Sequence, residues 1–287
     1  MRLPRVSSGR LEMAVVGHVE WVQFARVGHV PSAGEVVHAS DPFEEPAGGG
    51  AVAAVQLARL AGGAALVTEL GDDEHGRRSV TRLGELSVEV RASFVDSPTR
   101  RAVTLVDDDG ERTITTFGPR LEPTGGDAEG RWHGLERLDG VYFTAGDMAE
   151  LRLARERARV LVASPRASHA LGHKVRLDAL VLSGDDQIEL RAAEPALAEA
   201  ELVVWTEGEH GGRYRSRAGE TGRWAAAPLP GPPVDSYGCG DSFAAGLTYG
   251  LGAGLGSADA LALAARCGAA CATGRGPYTR QLTAAEL

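Results

Sequence analysis

The sequence predicts an α/β fold in which a doubly wound, mainly parallel sheet is covered by helices. Apolar, β-branched runs alternate with alanine-rich helical runs over most of the 287 residues, and parallel strands need such long crossovers between them. The length, with 43% hydrophobic residues, allows one large core. We therefore expect a single domain over residues 10–287 with a small β lid.

Six short runs are expected to be buried strands, because they are continuously apolar rather than alternating. In chain order they are Met13–Val16, Ala64–Thr68, Gly140–Phe143, Val160–Ala163, Ala179–Leu182 and Leu202–Thr206.

Three runs between these strands are predicted to be helices. Ala51–Ala61 is apolar except at two positions that share one narrow face, so we expect it to be almost wholly buried. Met148–Arg159 and Arg191–Ala200 carry the charged outer face that is typical of helices covering a sheet.

The lid is predicted from two extended segments that interrupt the alternation. Arg101–Val106 and Arg112–Phe117 flank a turn sequence at 107–110 and indicate a hairpin. Trp21–Ala39 is a second extended region, broken by proline and glycine. We expect the two to pair as a small sheet over the ligand, at about residues 19–42 and 90–118. An ordinary surface hairpin is the alternative.

Charge and composition exclude several classes of protein. The net charge of −9 argues against a surface that neutralises nucleic-acid phosphates. The longest apolar stretches fall short of the about 20 residues that span a bilayer, so we expect no membrane partner. Three cysteines cannot all pair with one another, which favours a reducing cytoplasm. Lys174 is the single lysine and lies outside any phosphate-loop motif, which excludes P-loop NTPases and protein kinases.

The segment 234–246 holds the sharpest chemical signal. A Gly-Cys-Gly turn at 238–240 precedes a helix whose first residues are Asp241 and Ser242, so unpaired backbone amides should converge there on an anion. A carboxylate beside a phosphate cradle suits a base that deprotonates the attacking group. The alternative is a helix-capping aspartate on a glycine-rich turn.

This segment resembles the C-terminal signature of the ribokinase-like sugar kinases, the PfkB family, with Ser236 and Cys239 in place of threonine and alanine. Three further segments resemble family motifs in the same order. Residues 46–50 and 71–76 are similar to the N-terminal signature, 206–212 to the nucleotide loop, and 273–278 to the C-terminal turn. The resemblance covers roughly residues 12–280.

The resemblance implies ATP-dependent phosphorylation of a hydroxyl on a sugar or sugar derivative. Asp241 would accept the hydroxyl proton, and the amides of the turn would form the anion hole, at Gly238, Cys239 and Gly240. Mg²⁺ would bridge the nucleotide phosphates. A second copy of the chain, paired through the lid, is the partner that we expect.

The resemblance also assigns binding residues. The nucleotide loop would use Thr206, Gly208, Gly211 and Gly212, and the sugar would meet the turn of Gly48, Gly49 and Gly50. The backbone of Asp235 and Tyr237 would hold a monovalent cation, K⁺.

Several positions depart from the family pattern. A carboxylate usual near the first strand is either missing or replaced by Glu20, with Val22 at its own position, and Val52 stands where an asparagine is usual. We expect both valines to face the sugar. The segment that organises Mg²⁺-bound water becomes 184–187, where Asp185 or Asp186 would serve the ion through water or cap a helix.

Some expectations concern other side chains. Cys239, in an electropositive turn, is expected to have a lowered pKa. Arg100 and Arg101 on the lid would contact a phosphorylated or acidic substrate or be solvated. Two alternatives to a sugar kinase remain: a nucleoside kinase that stacks a base on aromatic residues 21, 24 or 43, and a catalytically silent binding protein. Asp241 argues against the second.

Overall fold

The computed structural model describes residues 10–287, and it confirms the predicted fold class. In this range, nine strands form a mostly parallel central sheet and four form a small second sheet. The strands are β1 (Met13–Val16), β2 (Glu20–Arg26), β3 (Ser40–Ala47), β4 (Ala64–Gly71), β5 (Val88–Val95), β6 (Arg101–Val106), β7 (Arg112–Phe117), β8 (Leu138–Phe143), β9 (Ala158–Ala163), β10 (Leu177–Ser183), β11 (Ala200–Thr206), β12 (Gly212–Ser216) and β13 (Thr221–Trp224).

The helices are α1 (Gly49–Ala61), α2 (Glu74–Glu85), α3 (Ala128–Trp132), α4 (Met148–Arg157), α5 (Gln187–Ala193), α6 (Cys239–Gly252) and α7 (Ser257–Cys271). Among residues 10–287, none of these helices combines the length and the apolarity that are needed to cross a bilayer.

The central sheet has the order β13-β12-β11-β10-β9-β8-β1-β4-β5. Strand β1 pairs in parallel with β4 and β8, while β12 and β13 add an antiparallel hairpin at one edge. The carboxyl ends of the parallel strands therefore meet along one edge, where ligands bind in open α/β sheets.

The core occupies both faces of this sheet. Along β1, Met13 and Val15 join the cluster that contains α1, α6 and α7, whereas Ala14 and Val16 join the cluster with α3 and α4. This alternation follows from the two-residue period of a strand, and burial on both faces explains why the strand sequences are continuously apolar.

Helix α1 is almost wholly buried, as predicted. All of its residues except Arg59 and Ala61 are buried. It begins after Gly48, whose φ is 87°, and ends at Gly62, a left-handed residue whose amide donates to the Ala58 carbonyl. Glycine supplies these backbone angles without a steric cost, so the helix bounds follow from the local sequence.

All six predicted strands are present, and Met13–Val16 has the predicted bounds. Helix α4 ends at Arg157, two residues before the predicted end. The predicted helix Arg191–Ala200 is wrong: α5 ends at Ala193, a 3₁₀ turn follows, and Ala200 begins β11. Pro195 lies in the middle of the predicted segment, and proline removes a helical hydrogen bond.

The small sheet has the order β3-β2-β6-β7, and β6 and β7 form the predicted hairpin. Strand β2 pairs in parallel with β6, so the hairpin is part of a four-stranded layer rather than a free surface hairpin. The predicted lid bounds need correction at both segments. Residues 88–95 belong to β5 of the central sheet, and the first segment extends through β3 to Ala47. Pairing with β4 places β5 in the central sheet.

A buried ion pair joins α3 to α4. Arg131 Nη2 contacts Glu150 Oε1, and the two side chains are 2% and 0% exposed. Trp132 Nε1 donates to Glu150 Oε2 at 2.6 Å. The carboxylate thus accepts from both partners, and its loss would leave the Trp132 indole without its acceptor and the buried Arg131 without this counter-charge.

We expect Glu150→Ala to lower the free energy of unfolding by about 3–5 kcal/mol, the usual cost of breaking a buried pair. The measurement is urea-induced unfolding. Glu156→Ala, at an exposed position of the same helix, is the matched control and should change stability by less than about 0.5 kcal/mol. Equal losses in the two variants would contradict the role given to Glu150.

Candidate active site

The turn before α6 presents backbone amides to open space. Gly238 is the N-cap with φ 82°, and no side chain caps the helix. Among the described residues, the amides of Gly240 and Asp241 have no acceptor, while the Cys239 amide makes a long bond of 3.5 Å to the Ser236 carbonyl. A Cβ at Gly240 would meet no atom within 4 Å. The helix dipole adds partial positive charge, so the turn can bind an anion.

Asp241 lies beside this turn and against the start of α1. A Cβ built on Gly49 would lie 2.9 Å from Asp241 Oδ1, so only glycine lets the two segments approach this closely. Burial raises the pKa of Asp241, and the charges of Arg166, Arg112 and Arg120 lower it. A carboxylate with a raised pKa is a stronger proton acceptor.

Glu20 and the turn of Gly48 to Gly50 are linked through Tyr237. The Gly48 amide donates to Tyr237 Oη at 3.2 Å, and Tyr237 Oη lies 3.5 Å from Glu20 Oε1. A Cβ at Gly48 would lie 3.0 Å from His18 Nε2. Burial raises the pKa of Glu20 against the lowering effect of nearby arginines. The structure thus brings the predicted sugar residues together with Asp241.

The expectation that Val22 and Val52 face the sugar is wrong. Val22 and Val52 are both 0% exposed. A Cβ at Gly238 would lie 2.8 Å from Val52 Cγ1, so this side chain packs beneath the anion-binding turn. Both valines serve the core.

Asp235 holds two loops together through its carboxylate. Oδ1 accepts from the Tyr237 amide at 2.7 Å, and Oδ2 accepts from the Gly276 amide at 3.0 Å. The Tyr237 carbonyl accepts from the Cys271 thiol at 3.4 Å. These bonds fix the backbone around Asp235 and Tyr237, to which the family resemblance assigns a monovalent cation. Binding of that cation stays a prediction.

The predicted nucleotide loop follows β11 and turns into β12. Gly208 has φ 55° and faces open space, as a site for backbone contact with phosphate requires. Gly211 and Gly212 have a different reason to be glycine: a Cβ would lie 2.1 Å from the Trp224 carbonyl at the first and 2.3 Å from the Trp205 carbonyl at the second. Thr206 accepts from the Gly184 amide through its carbonyl at 2.7 Å.

That contact places the predicted metal segment next to the nucleotide loop. Asp186 is the N-cap of α5, and its Oδ1 accepts from the amides of Ile188 and Glu189 at 2.8 and 3.2 Å. Asp185 is exposed. No group of three or more metal-ligating side chains occurs within the described range. An exposed carboxylate still fits Mg²⁺, which keeps several waters and takes other ligands from substrate phosphates.

Cys239 does not have the lowered pKa that the sequence predicted. A hydrogen bond with the Cys271 thiol, together with burial, raises the pKa of Cys239. The contact between two residues 32 positions apart was not visible in the local sequence. The thiol therefore remains protonated and weakly reactive at neutral pH.

Sequence reasoning missed three arginines around the site. Arg112 Nη1 donates to the Ser236 carbonyl and hydroxyl at 3.0 and 2.8 Å, beside the anion-binding turn. Arg166 Nε donates to Glu189 Oε1 at 2.9 Å. The charge of Asp241 is the largest influence on the Arg166 pKa, which it raises. The third residue, Arg120, follows β7. Arg120 and Arg166 each lie three residues after a predicted strand, and that position was their only local signal.

The comparisons with known proteins identify the family. The family model described as pfkB family carbohydrate kinase matches residues 10–130 and 176–284. A fructokinase of Klebsiella pneumoniae is 28% identical over 82% of this chain and 88% of that protein. An ATP-dependent ribose-1-phosphate kinase of Halopiger xanaduensis is 29% identical, over 80% and 81% of the two chains.

The fold is also that of solved kinases. A ribokinase from Thermotoga maritima superimposes with a TM-score of 0.76 at 21% identity, over 96% of this chain and 97% of that chain. The family match extends over well more than half of the sequence and includes Asp241, the turn before α6 and the glycine segment at 48–50. The chain therefore belongs to the pfkB family of carbohydrate kinases and is an ATP-dependent phosphotransferase.

Proposed function

We propose that this chain transfers the γ-phosphoryl group of ATP to a hydroxyl of a sugar, with Asp241 as the base. The observation that carries the proposal is the position of Asp241, between the unpaired amides of α6 and the glycine turn at 48–50. A sugar bound at that turn brings its hydroxyl to the carboxylate. The names of the two relatives, a fructokinase and a ribose-1-phosphate kinase, support a sugar as the acceptor.

In this mechanism the acceptor oxygen attacks the γ-phosphorus while its proton passes to a carboxylate oxygen of Asp241. The bond from phosphorus to the bridging oxygen breaks, and ADP leaves with that electron pair. Asp241 must be ionised before the step. Its raised pKa makes the ionised carboxylate a stronger proton acceptor than an exposed aspartate.

The negative charge of the transferred group is held by backbone donors. The structure favours the amides of Gly240 and Asp241, since that of Cys239 is directed at the Ser236 carbonyl. Gly238 contributes the left-handed turn that aims them. Arg112, anchored on Ser236, adds a positive charge on the same side.

ATP is proposed to lie along the ends of β10 and β11, with its phosphates on the loop that contains Thr206 and Gly208 to Gly212. Mg²⁺ bound to those phosphates would neutralise their charge, and Asp185, through water, is the residue that would hold it. K⁺ at the carbonyls of Asp235 and Tyr237 belongs to the same proposal. The reaction uses ATP and the cysteines are unpaired, which fits the cytoplasm.

A sugar is favoured over a nucleoside as the acceptor by the aromatic side chains. Phe24 is stacked on Phe43 with ring centroids 4.7 Å apart. Trp21 is stacked on His75 and covered by the guanidinium of Arg78 at 4.2 Å. These rings already have stacking partners, so they do not offer a free face to a base.

A second copy of the chain is proposed to pair at the lid. Strand β7 is the outer strand of the small sheet, and all six of its residues are exposed, including Ile114 and Phe117. An edge strand with exposed apolar side chains is a template for pairing with another chain.

We expect Asp241→Asn to lower kcat by roughly 10²–10⁴, because the amide cannot accept the hydroxyl proton. The KM for ATP should change little. Asp259→Asn is the matched control, since Asp259 is likewise the third residue of its helix, α7. Steady-state kinetics with a coupled ADP assay measure both variants, and near-normal turnover of Asp241→Asn would overturn the assignment.

In a plot of kcat/KM against pH, the fall on the acid side, the acid limb, should report the pKa of Asp241. Because burial raises this pKa, activity should be lost on acidification at a pH above the ordinary aspartate value of about 3.9. Arg112→Gln removes a charge that lowers the pKa, so the limb should move to higher pH. Arg112→Lys keeps the charge and should leave it in place. An acid limb that stays at the same pH in Arg112→Gln would contradict the effect of the Arg112 charge on the pKa of Asp241.

Replacing both aspartates of the metal segment should raise the Mg²⁺ concentration needed for half-maximal activity. The test variant is Asp185→Ala with Asp186→Ser, because serine preserves the N-cap of α5 while it removes the carboxylate. Its melting temperature should therefore match that of the unmodified protein. If the Mg²⁺ requirement is unchanged, both aspartates have structural roles alone.

A further inference from the structure

Three arginines surround the acceptor end of the site and take no part in the steps above. They come from different segments, before β6, after β7 and after β9. Arg100 Nε lies 3.6 Å from Glu20 Oε2. Arg120 Nη2 donates to the carbonyls of Thr144 and Arg166 at 2.9 and 3.1 Å. Arg120 therefore lies against the backbone of Arg166, and the charges of all three arginines reach His18.

Their positive charges crowd one another. Burial and the charges of Arg120, Arg166 and Arg100 lower the pKa of His18, which stays neutral at physiological pH. Burial lowers the pKa of Arg120, and Arg166 and Arg100 lower it further against the opposing effect of Glu122. Like charges at short range repel, and an added anion would relieve this repulsion.

Carboxylates orient two of these side chains and leave their outer nitrogens free. Arg166 Nε donates to Glu189, and Arg120 Nε lies 2.9 Å from Glu122 Oε1. Between residues 10 and 287, no acceptor pairs with Nη1 of Arg100 or Arg120, or with either Nη of Arg166. A guanidinium has donors only, and phosphate or carboxylate oxygens match its geometry.

His18 provides a second, independent sign of a ligand. Its residue is 7% exposed, and its buried Nδ1 has no hydrogen-bond partner in the part of the chain that the structure describes. Its Nε2 lies near the turn at Gly48. Buried polar atoms in native proteins are normally paired, so the unpaired Nδ1 of His18 indicates a missing partner.

The position of these residues separates them from the nucleotide. His18 follows β1, Thr144 follows β8 and Arg166 follows β9, whereas the nucleotide loop follows β11, two strands beyond β9 in the sheet. Arg100 contacts Glu20, on the side of the sugar turn. An anion held here belongs to the acceptor.

We propose that the acceptor is an anionic sugar whose phosphate monoester or carboxylate is bound by Arg100, Arg120 and Arg166. This inference rests on the proposed sugar kinase function and narrows its substrate class. A neutral sugar would leave the free guanidinium donors without acceptors, which a selective site penalises.

The test is a kinetic screen of the full, unmodified chain with matched acceptors. Fructose is compared with fructose 1-phosphate and fructose 6-phosphate, ribose with ribose 1-phosphate and ribose 5-phosphate, and glucose with gluconate and glucuronate. We expect kcat/KM for one anionic acceptor to exceed that of its neutral counterpart by about 100-fold or more. The phosphate and carboxylate arms identify which anion is bound.

Two variants then test the residues. Arg100→Gln and Arg120→Gln should raise the KM for the preferred anionic acceptor by about 10–100-fold, with the KM for ATP unchanged. Lysine at either position should restore part of the affinity. Arg101→Gln is the matched control, because Arg101 is exposed and its guanidinium lies over Phe117. It should leave every constant unchanged.

The outcomes separate the two proposals. Phosphorylation of neutral sugars with efficiency equal to or above their anionic counterparts overturns this inference and leaves the sugar kinase function standing. Equal losses for neutral and anionic acceptors in Arg100→Gln and Arg120→Gln overturn it as well. Failure to phosphorylate any sugar, neutral or anionic, overturns the proposed function itself.

Discussion

The close backbone contact between the end of β1 and the start of α1 is the constraint on which the rest of the site depends. A Cβ at Gly17 would lie 2.6 Å from Gly50 Cα, and one at Gly50 would lie 2.7 Å from the Gly17 carbonyl carbon. The Gly50 amide donates to the His18 carbonyl at 3.1 Å. Any side chain at either glycine would displace α1, and the turn at residues 48–50 would then move away from Asp241.

A second set of contacts fixes α1 against α6. Gln281 Nε2 donates to the Val52 carbonyl at 2.9 Å and to Ser242 Oγ at 3.2 Å, and it is buried. The Val52 side chain packs beneath Gly238. Val52 therefore supports the turn before α6 from below. The polar bonds to α1 and α6 come from Gln281, which is more than 200 residues away from Val52 in sequence. Such buried polar bonds give two helices one relative position.

The sequence predicts best those features that depend on local chemistry. Six strands, the buried helix α1 and the turn at 238–241 follow from apolar runs and from glycine, and all are present. The helix predicted over residues 191–200 is wrong because the prediction rested on the spacing of charged residues. That spacing takes no account of Pro195, which interrupts the helix. The roles of Arg112, Arg120 and Arg166 depend on which strands are neighbours. No local pattern encodes that order, so these residues became visible only in the fold.

The state of Asp241 follows from two opposing effects in the assembled site. Burial disfavours the ionised carboxylate, while Arg166, Arg112 and Arg120 favour it. In the proposed mechanism a bound acceptor would displace water from the carboxylate, which would strengthen the desolvation effect and make Asp241 a stronger proton acceptor when the hydroxyl is in place. An anionic group on the acceptor would also offset part of the arginine charge and raise the pKa further. In the proposed mechanism the arginines would oppose protonation of Asp241 before the acceptor binds, and an anionic acceptor would weaken that effect.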